Sequence, residues 1–177
     1  MVASRALVFI GCGLFVGIML FLHVVRRDLS PLNRGMSRYA GSPTLALATL
    51  AFLALAGAVG ALAASLDPQG RRLALVAAAG LVGVAATPIG QPASSAVTAL
   101  HTIGGAVFYA GIIGAMFVAP APAGGQILRW SLAGALTLFC AAAFGAPGLR
   151  LVVGLLQRVV FALIVGWLLH QARRLTY

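Results

Sequence analysis

The side chains able to do chemistry are few, and the densest group is a run of 14 residues, Arg26-Arg27-Asp28-Leu29-Ser30-Pro31-Leu32-Asn33-Arg34-Gly35-Met36-Ser37-Arg38-Tyr39. Each guanidinium is a rigid fork of N–H donors that fits two oxygens at once. Arginines set beside the hydroxyls of Ser37 and Tyr39 therefore suit an anionic group such as a phosphate or carboxylate. One acid, Asp28, belongs to the set. The same residues also describe a solvated loop whose helix-end arginines reach lipid headgroups.

A lone arginine, Arg158, lies about nine residues into a later apolar run, hence roughly 13 Å along a helix axis from its start. An arginine in hydrocarbon costs several kcal/mol unless it is paired or hydrated, which makes it a functional candidate by default. The alternative is a structural arginine bonded to helix-terminal carbonyls or to Gln157. His101, with Thr98 and Thr102 beside it, opens one apolar run, and His23 closes another. Two histidines at similar depth could hold a haem or a metal. Neither has a second ligand at metal-binding spacing on its own helix, and each also reads as a hydrogen-bonded interface residue, so no cofactor is expected. His170 falls at the opposite end and cannot join them. Ser37 lacks an activating pair, since no acid would orient His101 as its base.

Of 177 residues, 62% are hydrophobic and 8% charged, against about 45–50% and about 25% in a soluble domain. The net charge of +10 comes from 12 basic residues, all arginine, facing only Asp28 and Asp67. They sit singly or in pairs at the ends of apolar runs, where they anchor helices at headgroups and set topology, so nucleic acid is not the partner they imply. With no Glu and no Lys, paired-carboxylate catalysis, a Schiff-base lysine and a carboxylate-rich metal cage are excluded. Cys12 and Cys140 lie within apolar runs and read as small hydrophobes.

The elements that must position these residues follow from length. Crossing about 30 Å of hydrocarbon takes roughly 20 residues, and six apolar runs reach or approach that: 6–25, 44–66, 73–89, 97–118, 130–146 and 149–170. The connectors between them are too short to fold as soluble domains. The expectation is an all-α polytopic membrane protein, a single six-transmembrane-helix bundle over 1–177. The pairs Gly57 and Gly60, Gly80 and Gly83, Gly104 and Gly105, and Gly111 and Gly114 read as places where helices approach closely. Pro88 ends the third helix, and Gln91 with the freed carbonyls is a candidate polar mouth. Trp130, Trp167 and Tyr177 fit interfacial belts. The first run reads as a retained helix, because most of its apolar stretch follows Cys12 instead of preceding a cleavage point. Six spans put both termini on one side, and the tight pairs Arg71-Arg72 and Arg173-Arg174 favour the cytoplasm for that side.

The segment from His23 through Arg26-Arg27-Asp28-Leu29-Ser30-Pro31 to Ser37-Arg38-Tyr39, the Pro88 turn followed by His101, and Gly154-Leu155-Leu156-Gln157-Arg158 together resemble domain-of-unknown-function family 998, a bacterial group of six-helix membrane proteins. The resemblance covers nearly the whole chain. It implies the fold, a bacterial inner (plasma) membrane and a working face on the first-loop side, and it implies no activity. The family tends to carry an acid between the serine and the tyrosine and another after the third-helix proline. Arg38 and Ile89-Gly90 stand there in this sequence, so acid-dependent chemistry is not expected.

The expected function is the binding of an anionic lipid or small anion in an outer-leaflet polar cavity. Arg158, His101, Ser37, Arg38, Tyr39, Arg26, Asp28 and Gln157 are its candidate residues. Arg158 is expected to face the bundle interior and converge with His101 and the 37–39 segment, so that its replacement by leucine keeps the fold and loses the ligand. The alternative is an accessory subunit that packs through small-residue faces within a larger membrane complex. A haem-bearing electron carrier using His23 and His101 is the remoter reading.

Overall fold

The computed structural model describes residues 2–89, 93–120, 123–146 and 148–176, and every regular element among them is helical. Six long helices follow one another: α1 (Val2–Val25), α2 (Leu45–Ala63), α3 (Pro68–Ala86), α4 (Ser95–Val118), α5 (Ala123–Ala143) and α6 (Val153–Arg173). Three short 3-10 turns, Met36–Ala40, Leu149–Val152 and Arg174–Thr176, complete the set. Five of the long helices are apolar and long enough to cross a membrane; α3, which carries Gln69, Arg71 and Arg72 near its start, is not among them. Large apolar side chains such as Leu20, Leu100, Ile103 and Ile127 stand more than half exposed on the surface. Water penalises such a surface and hydrocarbon does not.

Capping moves several helix ends away from the limits of the apolar runs. α3 begins at Pro68, five residues before the run at 73, because the Asp67 carboxylate accepts from the amides of Gln69 and Gly70 and proline needs no donor in the first turn. The Ser94 hydroxyl likewise accepts from the Val97 amide at the start of α4. α2 stops at Ala63, where the Ser65 hydroxyl and amide turn back to the Leu62 carbonyl. α5 begins at Ala123 instead of 130 and takes in Gln126 and Arg129. Hydropathy misplaced that start because Arg129 is not a surface charge: it is buried, 7% exposed, and donates to the Ala119 carbonyl at the end of α4.

Helices adjacent in sequence pack on one another, α3 on α4 most extensively, and α6 closes back on α1. A β-carbon at Gly80 would lie 2.5 Å from the Phe108 amide nitrogen and 2.7 Å from the Gly104 carbonyl oxygen, so hydrogen alone fits between α3 and α4. Gly57, Gly60 and Gly105 instead look onto open space, which corrects their reading as helix contacts. Phe15, Phe52, Phe108 and Phe161 bring α1, α2, α4 and α6 to a common aromatic centre, with ring centroids 5.3 to 6.3 Å apart. Trp167 belongs to the core, 1% exposed, and not to an interfacial belt, whereas Trp130 is 67% exposed. Gly90, Gln91, Pro147 and Tyr177 lie outside the described residues.

Candidate functional site

The connector between α1 and α2 folds inward. Its chain turns at Arg26 to Leu29 and again where the Arg34 amide donates to the Ser30 carbonyl at 3.0 Å. The 3-10 turn that follows buries Met36, Ser37, Tyr39 and Ala40. Thr44 secures the far end: its Oγ1 lies 2.6 Å from the Tyr39 carbonyl oxygen and accepts from Arg26 Nη1 at 3.0 Å. One hydroxyl thus joins both ends of the loop.

Gly154 admits this loop to the first turns of α6. A β-carbon there would lie 2.5 Å from the Arg34 carbonyl oxygen and 2.7 Å from that of Pro31. Through the gap the Leu155 amide donates to the Leu32 carbonyl at 3.0 Å, which satisfies one of the donors that any helix start leaves open. The Met36 amide donates to Gln157 Oε1 at 2.7 Å. Arg158 then gathers the whole cluster. Its Nη1 donates to the carbonyls of Pro31 (2.8 Å), Arg34 (3.0 Å) and Gly154 (2.7 Å). Its Nε donates to His23 Nε2 at 2.6 Å, and its Nη2 to the Tyr39 hydroxyl at 2.9 Å. The guanidinium carbon lies 5.7 Å from the centre of the Tyr39 ring, which also packs on His23.

These partners fix the state of His23. Its Nδ1 is 2.6 Å from the Met19 carbonyl oxygen, so the ring carries its proton there and presents Nε2 as the acceptor for Arg158. With both nitrogens occupied, His23 has no lone pair to offer a haem or metal. The described residues contain no grouping of three or more His, Cys, Asp or Glu side chains fit to hold a metal. His101 belongs elsewhere. Its Nδ1 meets the Thr87 carbonyl at 2.7 Å and ties the end of α3 to the start of α4; no hydrogen bond joins it to Arg158 among the described residues. Of the expected convergence, the 37–39 segment does reach Arg158 through the Tyr39 hydroxyl, while the His101 ring is bonded to the carbonyl that ends α3.

A cavity of about 300 Å³ is lined by Arg26, Leu29, Arg34, Arg38, Gly41, Ser42 and Ile89. Asp28 grips Arg26 through both oxygens, at 2.9 Å from Nε and 2.8 Å from Nη2. The Arg26 guanidinium holds the exposed Asp28 carboxyl below the usual carboxylate range, and Asp28 in turn pushes the guanidinium's pKa up. Arg34 and Arg38 offer guanidinia to the same cavity and meet no side-chain partner among the described residues. A larger cavity, about 490 Å³, runs between α1 and α6 and begins at His23, Met36 and Arg158.

The candidates therefore divide. Arg158, Tyr39 and Gln157 join one cluster with Ser37 buried in its turn, Arg26, Asp28 and Arg38 join another, and His101, bonded to the Thr87 carbonyl, lies within reach of the Arg38 charge. Two contributors to the first cluster were not among the candidates, the carbonyls of Pro31 and Arg34, whereas Gly154, four residues before Arg158 on the same stripe of α6, leaves the space for the loop that its place in the sequence suggests. Pro31 carried the one readable signal, because a proline contributes a carbonyl and no amide.

These features define a class: an all-helical chain, five of whose helices can cross a membrane, with its longest loop fastened to its last helix by one arginine. The chain belongs to the family described as protein of unknown function (DUF998), which matches residues 9–174, nearly the whole length. No curated protein and no solved structure matches it.

Proposed function

We propose that the protein is a six-span integral membrane protein that binds a phosphate-bearing or similar anionic group at its first-loop face, in the basin of Arg26, Arg34 and Arg38. The termini lie in the cytoplasm of a bacterium on this reading, and the basin opens at the outer leaflet of the inner membrane. α3 is the sixth span, with Arg71 and Arg72 at the headgroups. The observation that carries the reading is three guanidinia around one open space of about 300 Å³, with the nearby carboxylate already committed to Arg26. Such forks hold oxyanions in two-point contacts. Arg26 is oriented by Asp28 and Thr44, Arg34 and Arg38 supply donors, and Ser42 adds a hydroxyl at the rim. Arg158, Tyr39 and Gln157 hold the loop in shape, with Ser37 buried within it. The reading is one of binding, not catalysis.

The source of the anion is decided by experiment. Purified protein is titrated with inorganic phosphate and, separately, reconstituted with vesicles of phosphatidylglycerol or phosphatidylcholine. Saturable phosphate binding that Arg34→Ala with Arg38→Ala abolishes supports a small anion. Retention of phosphatidylglycerol alone, lost in the same double variant, supports a lipid headgroup. Absence of both in the wild-type protein overturns the reading, and a stable partner on native gels would then favour the accessory-subunit alternative.

A further inference from the structure

We propose that the cavity between α1 and α6 holds one acyl chain of an anionic membrane lipid, drawn from the leaflet on the first-loop side. The proposal rests on the chain's lying in a bilayer, as above, and not on the arginine basin. The walls are apolar: Phe15, Met19 and Leu20 on α1 face Ala162, Gly166 and Leu169 on α6, and the polar groups His23 and Arg158 stand at one end. From Arg158 to Leu169 the helix rises about 16 Å, about half of a hydrocarbon core roughly 30 Å thick. That is about the depth of a single leaflet, with the charge at one end of the groove.

Three observations select this occupant. The first is the size of the gap. It is a groove of about 490 Å³, open along its length and almost wholly apolar, and in a bilayer hydrocarbon fills an apolar space of that size more readily than water does. The second is Gly166. A β-carbon there meets nothing within 4 Å, so no close backbone approach demands glycine, and the missing side chain keeps the cavity open. The third is charge. All the groups bonded to Arg158 are neutral, and both carboxylates of the chain are engaged elsewhere, Asp28 with Arg26 and Asp67 at the start of α3. Arg158 keeps an uncompensated positive charge in a region of low dielectric, where a lipid phosphate is its natural counterion.

The test uses the full chain in vesicles that contain a trace phospholipid with a photoactivatable acyl chain, in phosphatidylglycerol and phosphatidylcholine forms. The expected cross-links map to Val16, Leu20, Ala162 and Leu169, and they are several-fold stronger for the anionic form. Gly166→Leu, whose β-carbon meets no protein atom within 4 Å, should remove most of them while leaving the unfolding temperature and any basin binding unchanged; Ala162→Leu serves as the second cavity-filling variant. Cross-links spread evenly over exposed residues such as Leu75, Leu100 and Ile103 would overturn the proposal, as would equal labelling by the two headgroups or indifference to both variants. Failure of the wild-type chain to enter vesicles would instead sink the membrane reading beneath it.

Discussion

At Arg158 every arm of the guanidinium meets an acceptor, in His23, Tyr39 and the carbonyls of Pro31, Arg34 and Gly154. At the basin, the guanidinia of Arg34 and Arg38 meet none among the described residues. The same side chain thus does two jobs within one folded loop, and backbone carbonyls decide which. Where the loop turns its carbonyls toward α6, an arginine is consumed in holding the fold. Where it turns outward, the donors stay available. Arg34 belongs to both regions, since its carbonyl is held by Arg158 while its side chain lines the basin. The fastening therefore sets the geometry of the basin.

The largest effect that bears on this comparison is expected at Arg158. Its replacement by leucine strips donors from three carbonyls, His23 and Tyr39, and a loss of about 3 kcal/mol or more is expected in denaturant unfolding of the purified protein. Anion binding at the basin should fall with it. This reverses the expectation that the fold survives the change. Arg158→Lys should recover only part, because a point charge cannot serve three directions at once. An unchanged unfolding midpoint for the leucine variant would erase the distinction between the two regions.

Gly154→Ala comes next. The new methyl must displace the carbonyls of Pro31 and Arg34, and a cost of about 1–3 kcal/mol is expected in the same measurement. Gly166→Ala, in a helix position with open space, is the control and should shift stability by no more than about 0.5 kcal/mol.

The basin should behave in the opposite way. Arg34→Ala with Arg38→Ala leaves stability within about 0.5 kcal/mol of the parent, yet phosphate or anionic-lipid binding disappears in calorimetry or lipid retention. A folding defect as large as that of Arg158→Leu would show that these arginines are structural too.

The smallest effect belongs to Asp28. Its carboxyl is held below the usual range by Arg26, so the pair's contribution is present above the ordinary aspartate value, about 3.9, and fades as pH falls through the lowered one. Asp28→Asn at neutral pH should raise anion affinity by less than about threefold, because an exposed pair competes only weakly. A titration in phosphate measures it, and a drop in affinity would show that Asp28 orients Arg26 more than it competes.

Much of the fold was legible because hydropathy and length act locally. Each of the six apolar runs overlaps one long helix, most closely for α2 and α4, while α3 and α5 are displaced toward the N-terminus by several residues. The ends were less legible: Asp67 and Ser94 start helices by accepting backbone amides, and the early start of α5 depends on where the Arg129 side chain finds the end of α4. Arg158 stood out at once, since an arginine in an apolar run is costly. That carbonyls could satisfy it was also readable, but which carbonyls did so was not, because main-chain groups leave no trace in residue types.

Composition and spacing alone determined the helical class, the lack of any Glu or Lys, and the first loop and Arg158 as the places to look. Each is a property of residues counted or measured along one chain. Tertiary structure alone decided that every arm of Arg158 meets an acceptor and that Arg34 and Arg38 meet none among the described residues, that His101 serves the junction of α3 and α4, and that α1 and α6 leave a groove between them. Those outcomes depend on which groups, remote in sequence, arrive first at a given donor or void, and Gly154 lets the loop arrive at α6 by lacking a β-carbon.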